Sequence, residues 1–580
     1  MLAPARKSPR VRTALRYTVS MPDPASHNFL VEGEVTGVGD TCTLAFPVWT
    51  PGSYKLREFA KNVSAFTVKG GDCDMLDKQR WQVTGIRGGR FTFRFTLYAD
   101  ELSVRTPHLD ETHGFFLGTN LFPYVESPLE GRPAPCVYDI TIRPWRRWKV
   151  ATSLKSVGPN TWRAPDYDIL GDTPFEIGTH EVRSFTVMGV KHDVAFYGYG
   201  NFDADRIVKD TARVVQAQGK LFGGLPYDYY LFIHHITPDS GGGLEHLNSC
   251  VCGWNSWKFR KEEDYQAFIR LVSHEFFHVW NVKRIRPAIL GPFNYAREQY
   301  TRALWVMEGL TQYYERIWCA RAGVTPAATV LKSIAENIDK EDNRPGRKVM
   351  SLENASWLAW TKLYLADENY LNSGVSYYSR GAQVGLLLDA RIRAATGGAK
   401  SLDDVMKLAF ERYGWPRPGF PERGFEALCE EVAGRKLAAF WRDHVRGTRE
   451  LDYTEVLDVY GLEFARENDK TEPWLGVTFN GAKITAVHAE GPGRKAGLQP
   501  RDEVVAINGH RVDGRTLESR LEDSKPGDVI ELALFRRERL VRARVRVAGR
   551  PAGKLLLRPV KKPNAAQRRN FRSWLGARVR

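Results

Sequence analysis

No stretch of this 580-residue chain approaches the run of about eighteen uncharged apolar residues that a transmembrane helix needs. The N-terminal MLAPARKSPRVRTALRYTVSM also lacks the uninterrupted apolar core of a secretory signal, so a cytoplasmic location is expected. Cysteine is sparse and scattered: the seven stand at 42, 73, 136, 250, 252, 319 and 429, an odd set that argues against a disulfide framework. Only Cys250 and Cys252 are close together. Alternation along a strand turns both thiols to one buried face, and no second pair exists to complete a metal-ligand set. Internal repeats are lacking, and so is any nucleic-acid-binding motif. The formal net charge of +16 has a local source in residues 561 to 580, KKPNAAQRRNFRSWLGARVR, with seven Lys or Arg and no acid. Basic surface of that kind supplies only non-specific affinity, so no nucleic-acid partner is expected.

What is present is the composition of an ordinary folded protein, 43% hydrophobic and 26% charged. The length exceeds what one core supports, so the chain is read as modular, with a multidomain α+β fold. Residues 1–185 show short alternating runs such as RFTFRFTLYA and YDITIRP between Gly, Pro and Asp, which predicts an all-β, sandwich-like domain. Strands continue through 186–260 around one helical segment, DADRIVKDTARVVQAQGKLFG. The period becomes helical over 261–465, so 186–465 reads as one strand-then-helix domain. A small β-rich domain is expected at 466–555 and a basic tail at 556–580.

Chemistry concentrates in LVSHEFFHVWN. His274 and His278 lie four apart, so on a helix both imidazoles leave one face and can present nitrogens to a single Zn²⁺. Glu275 then stands beside the water that such an ion activates. A catalytic zinc needs a third protein ligand, and Glu308 is the best candidate. It sits in LWVMEGLTQYYE among Trp305, Val306, Met307 and Leu310, where an acid is costly to bury without a partner. Glu315 is its alternative as a supporting or surface acid. Gln312, Glu315 and backbone carbonyls stay open as acceptors for the second nitrogen of each histidine.

These segments resemble the glycyl aminopeptidase family of gluzincin zinc metallopeptidases whose members carry a C-terminal PDZ domain. The resemblance runs in one order along nearly the whole chain. It takes in Trp-Thr-Pro-Gly-Ser-Tyr at 49–54, Gly-Gly-Gly-Leu-Glu-His at 241–246 and His-Glu-Phe-Phe-His-Val-Trp-Asn at 274–281. Glu-Gly-Leu-Thr-Gln-Tyr-Tyr at 308–314, Tyr-Tyr-Ser-Arg-Gly at 377–381 and the PDZ-like 474–550 continue it. It implies a thermolysin-like catalytic domain at 186–465 and a PDZ-like domain at 466–555. It further implies one Zn²⁺ per chain on His274, His278 and Glu308, with Glu275 as general base.

On this resemblance Glu245 holds the free α-ammonium of a peptide, Gly242 and Gly243 let backbone approach the substrate, and Tyr378 donates to the oxyanion. Tyr377 competes with Tyr378; two neighbours on one element are expected to point apart, so that only one reaches the site. The strand YYLFIHHI is a candidate for pairing with an extended substrate, and at least one of His234 and His235 is expected to be a structural or rim residue rather than a ligand. The resemblance implies removal of N-terminal Gly or Ala. At Leu475, Gly476 and Val477, within Trp-Leu-Gly-Val, it implies a turn that captures a peptide C-terminus. Arg501 departs from it, standing where a glycine usually precedes Asp502. A zinc endopeptidase, or a peptide-binding adaptor with an inactive peptidase-like body, are the competing readings.

Overall fold

The computed structural model describes residues 13–129 and 131–578. Residues 1–12, part of the stretch weighed as a signal sequence, lie outside them. The chain forms two compact units, Met1–Thr301 with Ala409–Pro421 and Arg302–Leu408 with Glu422–Arg580. Among the described residues no helix is long and apolar enough to cross a membrane.

The first unit opens with β-structure. A seven-stranded sheet runs in the order Lys155–Gly158, Thr161–Ala164, Val137–Arg143, Ala14–Ser20, Asn28–Thr36, Arg90–Tyr98, Val63–Lys69. Strict alternation drives it. In Arg90–Tyr98 the residues Phe91, Phe93, Phe95 and Leu97 all turn inward, and Phe66 stacks on Phe93 and Phe95. Gly33 faces Phe93 across the sheet, where a Cβ would lie 2.1 Å from the ring, so the aromatic fills the glycine's missing side chain. A four-stranded sheet and a five-stranded sheet complete this domain. Two short helices, Gly118–Leu121 and Tyr167–Gly171, interrupt what the alternation alone reads as all-β.

The second sheet system carries the chemistry. Its order is Glu181–Val187, Val190–Gly198, Tyr229–Thr237, Ser249–Asn255, Gly243–Glu245. Tyr229–Thr237 pairs on both sides, parallel to Val190–Gly198 and to Ser249–Asn255. That corrects its expected role as a substrate-pairing strand, because its backbone groups are already spent in the ladder. The edges are Glu181–Val187 and Gly243–Glu245. His234 is buried among Phe196, Phe232 and Phe268, and burial lowers its pKa to about 3, so it is a neutral structural histidine. Cys250 and Cys252 are both buried on Ser249–Asn255, as alternation predicts. Burial raises the Cys252 thiol well above its usual range and leaves it unreactive. The helix Glu262–Phe277 begins with Glu262, Glu263 and Asp264, acids that suit the positive end of its dipole.

The second unit is helical and then β-rich. Leu310–Arg321, Ala327–Asp342 and Ser379–Ala395 are its longer helices. A six-stranded sheet follows, containing Val477–Asn480, Lys483–Val487, Glu503–Ile507, Val529–Arg536 and Arg539–Arg546, with the short His510–Arg511 paired to one side. Its core is Leu475, Ile484, Val504, Ile507, Leu532, Leu534 and their neighbours. The expected basic tail is a correction. Leu555–Pro559 pairs with Leu462–Arg466, and Ala565–Leu575 is a capped helix whose Phe571, Trp574 and Leu575 are buried. Trp574 Nε1 donates to Tyr313 Oη at 3.0 Å, and its ring stacks on Tyr460. Three apolar residues at helical spacing outweigh the charges between them.

Arg501 has φ +75°, the left-handed conformation that the absent glycine would adopt freely. Its side chain makes an exposed ion pair with Glu368 at 3.1 Å, a contact of small net value. Arg501→Gly is therefore expected to stabilise the chain by about 0.5–1 kcal/mol, read as a rise in Tm. A fall in Tm would show that the ion pair outweighs the strain.

Candidate active site

His274 lies on the last turn of Glu262–Phe277, and His278 caps that helix while keeping helical backbone angles. Both imidazoles are buried, with ring centroids 4.8 Å apart. His278 Nδ1 donates to the Asn281 carbonyl at 2.6 Å, which fixes the proton on that nitrogen and leaves Nε2 its lone pair. A backbone carbonyl is thus the acceptor for this histidine, one of the alternatives that sequence leaves open.

Ligand atoms of Glu245, Glu275 and His278 all lie within 4.8 Å of one another. The edge strand Gly243–Glu245 brings this about. A Cβ on Gly243 would stand 2.0 Å from Glu275 Oε1, so the Glu275 carboxylate occupies the space that any other residue would fill. Arg105 Nη2 holds the Gly243 carbonyl at 2.7 Å. Gly242 has φ +80°, a second reason for glycine in this run. Glu245 itself is covered by the 49–54 turn: a Cβ on Gly52 would lie 2.7 Å from Glu245 Oε1.

Two residues that the sequence reading passes over sit beneath Glu245. Lys283 Nζ donates to Asp172 Oδ1 at 2.7 Å and stands 4.0 Å from Glu245 Oε1. Leu247 N donates to Asp172 Oδ2 at 2.7 Å. Burial would raise the Asp172 pKa, but Lys283 and His246 outweigh it and hold the carboxyl below its usual range. Lys283 is therefore claimed by Asp172, and Glu245 Oε1 is buried without a hydrogen-bond partner. Its one signal in sequence is a lysine five residues past His278; Asp172 gives none. From Glu245 a cavity of about 370 Å³ opens past Lys283, Arg286, Phe293 and Trp415.

The second unit brings together the other two sequence candidates. Glu308 is buried on the turn Trp305–Gly309, where Leu310 N bonds back five residues to Trp305 O. Such widened turns reorient a side chain within a helix. Tyr378 precedes the helix Ser379–Ala395, and its pKa is pushed well above the usual value, first by burial and next by the Glu308 charge. The phenol stays protonated and can donate. Tyr377 and Tyr378 do not point apart as expected; their rings stack with centroids 4.7 Å apart, because both lie in the turn before the helix. Glu315 is buried beside Arg316, with Arg316 Nη1 3.3 Å from Glu315 Oε1.

Next to Glu308 and close to Tyr378 in sequence, two glycines cross. A Cβ on Gly309 would lie 2.6 Å from Gly381 Cα, and one on Gly381 would lie 2.8 Å from Gly309 Cα. Gly381→Ala is expected to cost about 1–3 kcal/mol by forcing these backbones apart. Denaturant unfolding measures this; a change below about 0.5 kcal/mol would show that the crossing is slack.

Residues 16–179 match the Peptidase M61 N-terminal domain, residues 267–384 the M61 glycyl aminopeptidase family, and residues 483–534 a PDZ domain. The chain belongs to the M61 glycyl aminopeptidase family. An aminopeptidase N family protein from Idiomarina loihiensis has the same fold with a TM-score of 0.89 and 28% identity, over 97% of this chain and 100% of its own. An M1 zinc metallopeptidase from Deinococcus radiodurans aligns at 15% identity and a TM-score of 0.48, over 76% of this chain and 95% of its own. Aminopeptidase A from Legionella pneumophila aligns at 12% and 0.47, over 81% and 54%. Among curated proteins no relative matches. As an M61 aminopeptidase the chain is a hydrolase of peptide bonds, and the adaptor reading falls away.

Proposed function

We propose that this M61 aminopeptidase removes the N-terminal residue, Gly or Ala, from peptides with a free α-amine, using one catalytic Zn²⁺. The observation that carries the reading is the meeting of Glu245, Glu275 and His278 within 4.8 Å. An anchor for an α-ammonium beside a general base and a metal histidine fits one-residue removal, and it disfavours an endopeptidase. His274, His278 and Glu308 are the residues that would hold the ion. The Nε2 lone pair of His278, with the His274 ring 4.8 Å away centroid to centroid, suits zinc. When bound, the ion would supply Lewis-acid polarisation of the scissile carbonyl and acidify a water.

The protein's own groups do the rest. Glu245 receives the α-ammonium on the oxygen that has no other hydrogen bond, and so sets the register at the first peptide bond. Glu275, backed against Gly243, takes a proton from the attacking water and returns it to the leaving amine. Tyr378, kept protonated, donates to the oxyanion. Val477–Asn480 is an edge strand next to the Leu475–Gly476–Val477 turn, which supports capture of a peptide C-terminus by strand addition. Buried cysteines such as Cys42 and Cys250 favour a reducing, cytoplasmic setting.

The test compares glycyl and alanyl amides with their N-acetylated forms, on protein of measured zinc content. Cleavage of the free amines alone, lost when His274 and His278 are replaced by Ala, is expected. Equal cleavage of blocked and free substrates would overturn the aminopeptidase register.

A further inference from the structure

Away from the catalytic cluster, the first unit buries a second group of metal-type ligands. His113 stands on His113–Leu117, Glu176 on Pro174–Gly178 and His235 on Tyr229–Thr237. One ligand atom from each lies within 4.8 Å of the other two. All three side chains are at most 1% exposed. His113 Nε2, Glu176 Oε1 and His235 Nδ1 are each buried without a hydrogen-bond partner, while His235 Nε2 lies 2.8 Å from Glu176 Oε2. Buried polar atoms ordinarily find partners, and three orphaned ones on adjacent side chains point to a missing ligand.

The surroundings are those of a metal-binding histidine. His113 Nδ1 faces Asp110 Oδ1 at 3.8 Å, and Asp110 is itself fixed by Thr112 N at 2.7 Å and His113 N at 3.1 Å. The carboxylate thus stands on the Nδ1 side of the ring, away from the orphaned Nε2. His108, Asp110 and His113 form an alternative trio, but Asp110 is already engaged by the hydrogen bonds above and is the more exposed.

We propose that His113, Glu176 and His235 hold a second divalent ion of the zinc class, with a structural role. Two imidazoles and a carboxylate suit zinc, and complete burial leaves no approach for a peptide. His113–Leu117 and Pro174–Gly178 belong to one five-stranded sheet, and Tyr229–Thr237 to the sheet that ends in Glu245. The ion would staple the N-terminal domain to the sheet that positions the amine anchor.

Metal counting on the full chain decides it, after loading with Zn²⁺ and desalting. Wild type is expected to keep about two zinc ions, and His274→Ala/His278→Ala about one, since only the catalytic pair is lost. Adding His113→Asn or Glu176→Gln should remove the remaining one. Retention of no zinc by His274→Ala/His278→Ala would overturn the proposal, leaving a metal-free His–Glu network. So would retention unchanged by His113→Asn. Zinc kept in full by His274→Ala/His278→Ala would instead count against the catalytic ligands. Should His113→Asn fail to fold, Co²⁺ titration of His274→Ala/His278→Ala serves. Visible bands of a tetrahedral nitrogen–oxygen site saturating near one equivalent are expected, and the spectrum of free aqueous Co²⁺ would sink the idea.

Discussion

Glu275→Gln is expected to lower kcat about 10²–10⁴-fold, with zinc content unchanged. Glutamine keeps the shape of the side chain, which matters because the carboxylate fills the space over Gly243. It cannot accept and release a proton at neutral pH, so the loss falls on the chemical step. KM for a glycyl amide should move little, since the proposed anchor of the amine is Glu245 and not Glu275. Steady-state kinetics with metal analysis of the same sample separates the outcomes. A kcat within tenfold of wild type would remove Glu275 as the base. Lost zinc would make the residue a support for the metal site.

Why sequence reaches some of these groups and not others follows from distance along the chain. His274, Glu275 and His278 sit within five residues on one helix, so their geometry is set by helical pitch alone. Glu308 announces itself by being an acid among buried apolar residues. The Lys283–Asp172 pair spans 111 residues, and nothing local in GDTPFE marks the acid. The same limit hides the turn at 49–54 that covers Glu245, and the crossing of Gly309 with Gly381. Alternation identifies Tyr229–Thr237 as a strand but carries no information on its neighbours, and so its central place stays invisible. In residues 561–580 the dense positive charge masks Phe571, Trp574 and Leu575, although their spacing is helical. Tyr377 and Tyr378 fail an alternation rule because they lie in neither strand nor helix.

Glu245→Ala is expected to lower kcat/KM for free-amine substrates by about 30-fold to a few thousand-fold, the range for removing one partner of a buried charge pair. The neighbouring cation sharpens the effect. Lys283 Nζ stands 4.0 Å from Glu245 Oε1, and without that carboxylate the site presents an ammonium to an ammonium. Glu245→Gln keeps a hydrogen-bond acceptor and should lose less than Glu245→Ala. N-acetylated substrates carry no charge to anchor, so their slow turnover should be the same in all three proteins. The pH dependence gives an independent arm. A peptide α-amine loses its proton near pH 8, so wild-type KM should rise above that pH, while Glu245→Ala should show no such rise. If the variant discriminates free from blocked amines as well as wild type does, the anchor lies elsewhere. Asp172 is then the next carboxylate to test, because it lines the same cavity and is tied to Glu245 through Lys283.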